Sequence, residues 1–269
     1  MKMNNEEKNN TDDNSLDAEK KEPVEVIDQI KKELNKKILI NFLIVASIFV
    51  AIFAIFTSIN NEKKEDEIPK TLRKVHEFNE KVTKAIFDPN KMAPLFPKEK
   101  GEDMKPNGDI GMNEDFDISS WELNTFDQKN NKKAFSIDKI KAMPSIEMTT
   151  EFKCVEGWSK IVNWKGVKLK DFLEKNNLIE KDSNYIYLET PDKKYYVGLD
   201  IETAKHEQTL LAYEMNGKPL TLEHGAPLRL VSPLKYGIKQ IKRIGNIKVM
   251  TERPKDYWSE QGYDWYAGH

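Results

Sequence analysis

The stretch that most constrains the fold of this chain is residues 38–59, which contain no charged side chain. As a helix, at about 1.5 Å per residue, it would be about 33 Å long, enough to cross a hydrocarbon core of about 30 Å. A signal-peptide core would be shorter, nearer the N-terminus and followed by a small-residue cleavage site. The flanks are strongly charged, which disfavours the alternative of a buried core helix. The sequence therefore predicts one transmembrane helix over residues 38–59.

The segments on either side of this stretch are highly polar. Residues 1–37 are rich in Asn, Asp, Glu and Lys and contain no aromatic residue, so they predict a disordered charged tail. Lysines stand on both sides of the apolar stretch, which leaves the positive-inside rule nearly balanced. The adjacent pair Lys36 and Lys37 favours a cytoplasmic N-terminus. We therefore expect a single-pass protein of the cell membrane whose main domain is extracytoplasmic.

The overall charge and the single cysteine exclude several classes of protein. With 43 basic and 45 acidic residues the net charge is −2, which gives no reason to expect a nucleic-acid partner. Cys154 is the only cysteine, so the chain cannot form an internal disulfide or an all-thiolate zinc or iron–sulfur site by itself. Three alternatives remain for it: a buried inert thiol, a reactive thiol, or one thiolate ligand to a metal held mostly by another group.

The part of the chain that follows the apolar stretch divides into two regions. Residues 60–114 predict a juxtamembrane helix, over 71–87, and then an irregular linker or arm lying on the domain. Residues 115–269 are long enough for one globular domain.

This domain mixes short strands and helices without a regular alternation, which predicts an α+β fold. We expect strands at 185–188, 194–199, 210–215, 228–232 and 244–250, and helices at 169–176 and 201–205. Asn216-Gly217 predicts a tight turn. No Gly-rich dinucleotide loop, P-loop, HExxH or GxSxG motif occurs in the sequence.

Two long motifs resemble segments of a known family. Residues 154–173 read CVEGWSKIVNWKGVKLKDFL, and residues 210–242 read LLAYEMNGKPLTLEHGAPLRLVSPLKYGIKQIK. Both are similar to the sulfite oxidase superfamily, and most of all to its bacterial branch, which includes the periplasmic methionine-sulfoxide-reducing enzymes. The similarity covers residues 121–269. It implies a sulfite-oxidase-type molybdopterin-binding domain, with mixed sheets and short helices, behind the transmembrane helix.

The resemblance also implies a cofactor and the residues that hold it. The cofactor would be molybdenum bound to molybdopterin, and Cys154 would be the metal ligand and catalytic residue. A single soft thiolate suits such a metal, and the cofactor itself carries the redox chemistry. By the same resemblance, the cofactor-binding residues are Thr190, His224, Arg229, Gln240, Ile241 and Lys242.

For other polar residues near these motifs, two interpretations are open. Lys235, Lys239 and Arg243 could add positive charge for the cofactor's phosphate, or could belong to a solvated strand and turn. His206 matches a histidine near the metal in some relatives, and could equally be structural.

Two features depart from the family pattern. The Asn-rich aromatic motif of the reductase branch is not found in residues 91–121, and Lys36-Lys37 stands where exported relatives carry a twin-arginine signal. These departures motivate an alternative function, a non-catalytic membrane-tethered binding or assembly module that kept the fold. A thiol-based redox protein is disfavoured because no second cysteine could resolve an oxidised Cys154.

The function that these observations favour is a membrane-anchored molybdopterin-dependent oxidoreductase that transfers an oxygen atom to or from a small-molecule acceptor or donor. The domain has three arginines, Arg229, Arg243 and Arg253, which are few for an anionic substrate such as sulfite. Reduction of an S-oxide or N-oxide is therefore favoured over sulfite oxidation. The chain has no haem-binding CxxCH motif and no iron–sulfur ligands, so electrons would come from a separate protein, such as a membrane cytochrome.

Overall fold

The computed structural model describes residues 15–65, 68–86, 88, 90–112 and 116–269. The chain divides into two compact units, with the boundary between Glu62 and Lys63. The membrane-span prediction falls in the first unit, and the motifs of the family resemblance fall in the second.

The described part of the first unit is mainly one long helix, α1 (Ser15–Asn60). Its portion Val24–Asn60 is long and apolar enough to cross a membrane, by length and composition, and none of its most apolar window is buried. That exposure argues against a core helix. The prediction of disorder over residues 1–37 is wrong for residues 15–37, which are helical, while residues 1–14 lie outside the described part. The reason is that Glu, Lys, Leu and Ala favour helix, and extending an existing helix needs no new nucleus.

The second unit is a mixture of short helices and strands, which confirms the predicted α+β class. Its helices are α2 (Lys70–Ile86), α3 (Ile137–Lys141), α4 (Leu169–Lys175), α5 (Ile201–Lys205) and α6 (Tyr257–Glu260). Its strands are β1 (Lys64–Glu65), β2 (Ile68–Pro69), β3 (Leu123–Phe126), β4 (Lys132–Phe135), β5 (Ile146–Lys153), β6 (Ser159–Lys168), β7 (Tyr185–Glu189), β8 (Tyr196–Asp200), β9 (Leu210–Met215), β10 (Lys218–Pro219), β11 (Arg229–Val231) and β12 (Asn246–Met250).

Two five-stranded sheets form the body of this unit. In the first sheet the strand order is β10-β9-β6-β5, with β11 also paired to β9, and all its pairs are antiparallel. In the second the order is β4-β3-β12-β7-β8, and only the β3–β12 pair is parallel. Strands β1 and β2 form a separate small hairpin. The mixed sheets match the architecture implied by the family resemblance.

The first sheet separates two apolar clusters. The larger cluster lies between the sheets and includes Leu123, Phe172, Leu188, Leu211 and Ile247. The smaller one includes Trp164, Leu210, Phe152 and Cys154, together with Met104 from the irregular arm. Because side chains alternate between the two faces of a strand, β6 and β9 contribute residues to both clusters. Cys154 therefore belongs to the smaller cluster, on the side of the sheet where the arm lies.

The β5–β6 hairpin, which carries Cys154, is paired along its whole length. Eight residue pairs run from Ile146 opposite Gly166 to Lys153 opposite Ser159. On its other side β6 pairs with β9, and the register shifts between Lys165 and Gly166. A Cβ at Gly166 would lie 2.2 Å from the Leu211 carbonyl oxygen, so this bulge requires glycine. The turn at the end of β5 is thus presented by a rigid scaffold.

The predicted elements of the domain are largely confirmed. Strands β7, β8, β9, β11 and β12 and helices α4 and α5 lie where the pattern predicts them, and Asn216-Gly217 forms the turn between β9 and β10. Strands β3 to β6 were not among the predicted strands. In β5 and β6, Glu, Lys, Asn and Thr interrupt the apolar residues. The pairing of β5 with β6, and of β6 with β9, outweighs this weak local pattern.

The segment from 70 to 112 also belongs to the second unit. Helix α2 matches the predicted helix over 71–87, except that residue 87 lies outside the described part. The irregular arm that follows is tied to the β5–β6 hairpin. The Phe96 amide donates to the Thr149 carbonyl at 2.9 Å, and the Glu102 amide donates to the Ile161 carbonyl at 2.8 Å.

Candidate active site

Cys154 lies in the turn that connects β5 and β6. Its backbone amide donates to the Trp158 carbonyl at 2.9 Å, and the Gly157 amide donates back to the Cys154 carbonyl at 3.1 Å. Gly157 has φ +88°, a left-handed conformation that glycine adopts without strain. The turn therefore fixes the cysteine backbone. The side chain is 8% exposed and lines a cavity.

This cavity, of about 160 Å³, has mainly apolar walls with a few polar groups. Its apolar lining comes from the sheet turn, the arm and the C-terminal segment, and comprises Met104, Pro106, Ile110, Phe152, Val155, Trp158, Tyr195, Ile238, Trp258 and Tyr263. Its ionisable lining consists of Lys105, Cys154, Glu156, Tyr195, His224, Arg229, Lys242 and Tyr263. Apolar walls with few convergent polar groups are typical of cofactor and substrate sites.

The arm forms one wall of the cavity, where three further polar contacts hold it. His224 Nε2 contacts the Met104 carbonyl oxygen at 2.7 Å, and Lys242 Nζ donates to the Gly108 carbonyl oxygen at 2.5 Å. Asn107 Nδ2 lies 3.6 Å from the Cys154 sulfur. Sequence reasoning looked for a family motif in this arm and found none, so it missed Asn107. Pro106-Asn107-Gly108 indicates a turn, but nothing in it indicates a partner thiol.

Arg229, on β11, is a buried side chain that lines the cavity. Its guanidinium donates to the His224 carbonyl at 3.1 Å and to the Gln240 carbonyl at 3.3 Å, and stacks 4.8 Å from the Trp164 ring centre. Burial lowers the pKa of Arg229 to about 10, so it remains a cation at neutral pH. Its Nε has no hydrogen-bond partner among the residues that the structure describes. A buried N–H without a partner is costly, so this group is ready to bind an added acceptor.

Lys242 is the second cation of the cavity. Its Nζ donates to the Glu223 carbonyl at 3.0 Å as well as to Gly108. Burial, together with the nearby charges of Arg229 and Arg243, lowers its pKa to about 8, against the opposing effect of Asp109 and Glu223. Since two neighbouring cations repel each other, an anion bound between them would be stabilised.

Five of the predicted site residues are brought together at this cavity: Cys154, His224, Arg229, Gln240 and Lys242. His224 is bonded on both ring nitrogens, because the Thr221 hydroxyl lies 2.9 Å from Nδ1. A carbonyl oxygen can only accept, so Nε2 carries the proton and donates to Met104. The imidazole is thereby fixed in orientation.

Two predicted cofactor-binding residues lie elsewhere. The Thr190 side chain is fully buried in the turn between β7 and β8, where its hydroxyl donates to Asp192 Oδ1 at 2.6 Å and accepts from the Tyr195 amide at 3.2 Å. The Ile241 side chain belongs to the larger core cluster. Neither lines the cavity among the described residues, and the cofactor-binding roles of both remain predictions.

Two lysines of the basic cluster are structural. Lys235 Nζ lies 3.3 Å from Asp200 and 2.9 Å from the Tyr266 ring centre, and Lys239 Nζ lies 2.5 Å from Asp256. All of these charged groups are buried, so the alternative of a solvated strand and turn is wrong for both lysines. Burial lowers the pKa of Lys235 to about 7, partly opposed by Asp200.

His206 also lies outside this cavity. Its Nε2 contacts the Lys91 carbonyl at 3.2 Å, and its Nδ1 accepts from the Gln208 amide at 3.2 Å. Because Nδ1 accepts this bond, the ring is neutral, and burial lowers the pKa of His206. Of its two interpretations, the structure supports the structural one, in which the ring ties the start of the arm to the domain.

The cavity suits an anionic organic cofactor that holds a soft metal. It offers one thiol, three cations (Lys105, Arg229 and Lys242), and a buried guanidinium N–H that lacks a partner among the described residues. In the described part of the chain, no three His, Cys, Asp or Glu side chains are grouped as metal ligands. A metal here would thus take one protein thiolate and its remaining ligands from the cofactor. Fold and site together thus define an α+β domain with a cavity that fits such a cofactor.

Comparison with known proteins identifies the family. Residues 110–258 match the model of the oxidoreductase molybdopterin-binding domain. YedZ1 of Azospira oryzae, named a putative protein-methionine-sulfoxide reductase subunit, is 33% identical over 207 residues, which are 76% of this chain and 78% of that protein. The uncharacterized oxidoreductase YuiH of Bacillus subtilis is 33% identical over 58% of this chain and 77% of its own length. The protein-methionine-sulfoxide reductase catalytic subunit MsrP of Campylobacter jejuni is 31% identical over 59% of each chain.

The chain therefore belongs to the oxidoreductase molybdopterin-binding domain family, within the sulfite oxidase superfamily. It is a molybdenum-dependent oxidoreductase whose cofactor is molybdopterin, as the resemblance of its two motifs implied.

Proposed function

We propose that this chain is a membrane-anchored enzyme that reduces a neutral S-oxide, with methionine sulfoxide as the first substrate class to test and N-oxides as the second. The observation that carries the proposal is the charge of the cavity lining. Of the domain's three arginines, only Arg229 lines the cavity, beside the single cysteine. The names of two relatives, which refer to protein-methionine-sulfoxide reductase, support the same substrate class.

The cations of the cavity are accounted for without a charged substrate. Arg229 and Lys242 would hold the anionic end of the cofactor. The third cation, Lys105, stacks 5.2 Å from the Trp158 ring centre, and Glu156 accepts from the Trp158 indole N–H at 2.9 Å. Lys105 and Glu156 carry opposite charges beside the same ring. The remaining lining is thus nearly neutral in charge, which suits a neutral oxide better than sulfite.

The walls beside the thiol suit an apolar substrate body. Phe152 and Trp158 stack at 5.7 Å between ring centres, and Trp258 contacts Tyr263 at 5.2 Å. The Tyr195 hydroxyl donates to the Ile238 carbonyl, so Tyr195 contributes its ring rather than a free hydroxyl. Such walls exclude water and bind a thioether-like side chain by apolar contact.

The chain's own residues have separate roles in this proposal. When bound, the molybdenum cofactor supplies the two-electron chemistry of oxygen-atom transfer. Cys154 binds the metal through its thiolate, and the β5–β6 turn keeps that sulfur in place. Arg229 and Lys242 bind the charged end of the cofactor, and His224 donates to Met104 to hold the arm over the cavity.

Two further parts of the proposal concern the surroundings of the enzyme. Helix α1 would anchor the chain in the cell membrane, with the domain on the extracytoplasmic side. Electrons would come one at a time from a separate protein such as a membrane cytochrome, because the sequence of this chain has no haem-binding CxxCH motif. The single thiol cannot itself supply a dithiol couple.

The first experiment measures molybdenum content in the full chain, in Cys154→Ser and in Lys255→Ala, all made in a host that loads a known relative. Lys255 is the matched control because its side chain is 81% exposed and far from the turn in sequence. We expect near-stoichiometric metal in the wild type and control, and loss of metal or of activity in Cys154→Ser. A folded wild type without metal would contradict the proposal and favour the binding or assembly module.

The second experiment tests substrate and direction. Reoxidation of a reduced dye by free or peptide-bound methionine sulfoxide is measured beside dye reduction by sulfite. We expect the first reaction and not the second. A faster reaction with sulfite would show that the cavity accepts an anion and would overturn the neutral-substrate proposal.

A further inference from the structure

Helix α2 is amphipathic, and its polar face is the one that packs on the domain. Arg73 donates through Nη1 to the Ser259 hydroxyl at 3.1 Å and through Nη2 to the Ser259 carbonyl at 3.0 Å. About two helical turns further on, Glu80 forms ion pairs with Arg253 at 2.5 Å and with Lys84 at 2.8 Å. Glu80 is the only buried residue of the helix.

The opposite face of α2 is apolar and exposed. Five side chains follow helical spacing and are between 43% and 77% exposed: Leu72, Val75, Phe78, Val82 and Ile86. At about 1.5 Å per residue they form a stripe about 21 Å long. Surface helices of soluble domains normally place such a stripe against the core. A large exposed apolar patch instead indicates an interaction site.

Three lysines lie along one edge of this stripe. At 100° per residue, Lys70, Lys74 and Lys81 fall between the apolar face and the face that binds the domain, and all three are exposed. A helix with an apolar face and basic residues beside it is typical of segments that lie in the plane of an anionic membrane surface. Long lysine side chains can reach the head groups while their aliphatic stems stay near the apolar region.

We infer that the apolar face of α2 lies in the interface of an anionic lipid membrane, so that the domain is held against the bilayer by a second contact. This inference rests on the proposed membrane anchor. Nine residues, 61–69, separate α1 from α2 in sequence, and even fully extended they span at most about 32 Å. A lipid surface is favoured over a protein partner because the stripe is continuous, flanked by lysines and within this reach of the apolar helix.

The test uses photocrosslinking in the full chain, reconstituted in vesicles of phosphatidylcholine with or without phosphatidylglycerol. A benzophenone amino acid replaces Phe78, on the apolar stripe, or Phe49, in α1, or Lys255 as an exposed control. Lipid adducts are counted by mass spectrometry. We expect adducts at position 78 that increase with phosphatidylglycerol, adducts at 49 in both vesicles, and none at 255. Adding Val75→Glu and Val82→Glu to the probe at 78 should reduce its adducts at least tenfold, as about 1.4 kcal/mol or more of lost partitioning implies.

The outcomes separate this inference from the anchor. Adducts at 49 without adducts at 78 would overturn the inference and leave the anchor standing. Absence at both positions would overturn both. If the experiment is repeated in native membranes and position 78 then crosslinks to one protein rather than to lipid, the stripe is a partner surface and the lipid inference is wrong. Molybdenum content of each variant confirms that the domain is folded.

Discussion

Replacing Lys239 and Lys242 separately by methionine should damage the protein in two different ways, although the two residues lie three positions apart. Lys239 Nζ is buried and lies 2.5 Å from Asp256 Oδ2, with a second bond to the Gly198 carbonyl at 3.0 Å. Lys242 instead lines the cavity and donates to two backbone carbonyls. We expect Lys239→Met to lower stability and Lys242→Met to lower cofactor retention.

The magnitudes follow from what each substitution leaves behind. Lys239→Met leaves the Asp256 carboxylate, 2% exposed, without its cation, and breaking such a pair costs about 3–5 kcal/mol. Asp256 keeps two bonds, from the Gly198 and Ser259 amides, which favours a value of about 3 kcal/mol. For a domain of this size that lowers Tm by about 6–12 °C. Lys242→Met removes only half-buried contacts, worth about 1 kcal/mol. Losing a charged bond to a phosphate costs about 1.5–3 kcal/mol, or roughly 10- to 150-fold in affinity.

The assay has two arms. Thermal unfolding is measured on protein from a host that makes no molybdopterin, so that a bound cofactor does not stabilise either variant. Molybdenum content is then measured on protein from a competent host. If Lys239→Met leaves Tm within about 2 °C of the wild type, the buried pair is not what holds this region. If Lys242→Met keeps its metal through dialysis, Lys242 does not bind the cofactor.

Three further variants test the site and its supports. Because the pKa of Lys242 is lowered to about 8, its positive charge is lost as pH rises through that value. Binding of pyrophosphate by cofactor-free protein should therefore weaken between about pH 7 and 9, as measured by calorimetry. Lys242→Arg should remove this dependence, and an unchanged slope would contradict the assignment. Burial lowers the pKa of His206, so its contribution to stability is present above about pH 6.5 and is lost as pH falls toward its lower folded value. His206→Gln should flatten the acid side of the Tm curve and leave kcat unchanged; a large loss of kcat would return His206 to the active site. Arg253→Ala removes the ion pair with Glu80, which is worth about 1–2 kcal/mol, and should speed amide hydrogen exchange in α2 by about tenfold. Unchanged exchange would show that Arg73 alone holds the helix on the domain.

The sequence predicted what kind of site the domain contains better than it predicted which residues line that site. Cys154 and the motif around Arg229 lie in continuous segments, and a continuous segment can be matched to a family without knowing the fold. Lys235, Lys239 and Lys242 look equivalent in sequence. In the structure the first two pair with buried carboxylates, whereas the third lines the cavity. Which side a lysine faces depends on residues distant in sequence, which no local pattern records.

The arm and the hairpin show the same limit for secondary structure. Residues 146–168 form the edge strand β5 and the central strand β6 although their polar residues weaken the pattern, because the two strands pair with each other and β6 also pairs with β9. Apart from a short 3-10 helix over Lys98–Lys100 the arm has no regular structure, so no periodicity predicts it, and its position depends on contacts with His224 and Lys242. By contrast, the apolar helix is strongly predicted because its length and composition are local properties.

The walls of the cavity extend beyond the segment by which the family is recognised. That segment ends at residues 110 and 258, whereas Met104 and Asn107 precede it and Tyr263 follows it. Trp265 and Tyr266, whose rings lie over Lys239 and Lys235, also fall outside. A fragment cut at the family limits would keep Cys154 and Arg229, yet open the cavity on two sides and expose two buried lysines. The segment that the family model matches is thus smaller than the part of the chain that builds the cavity.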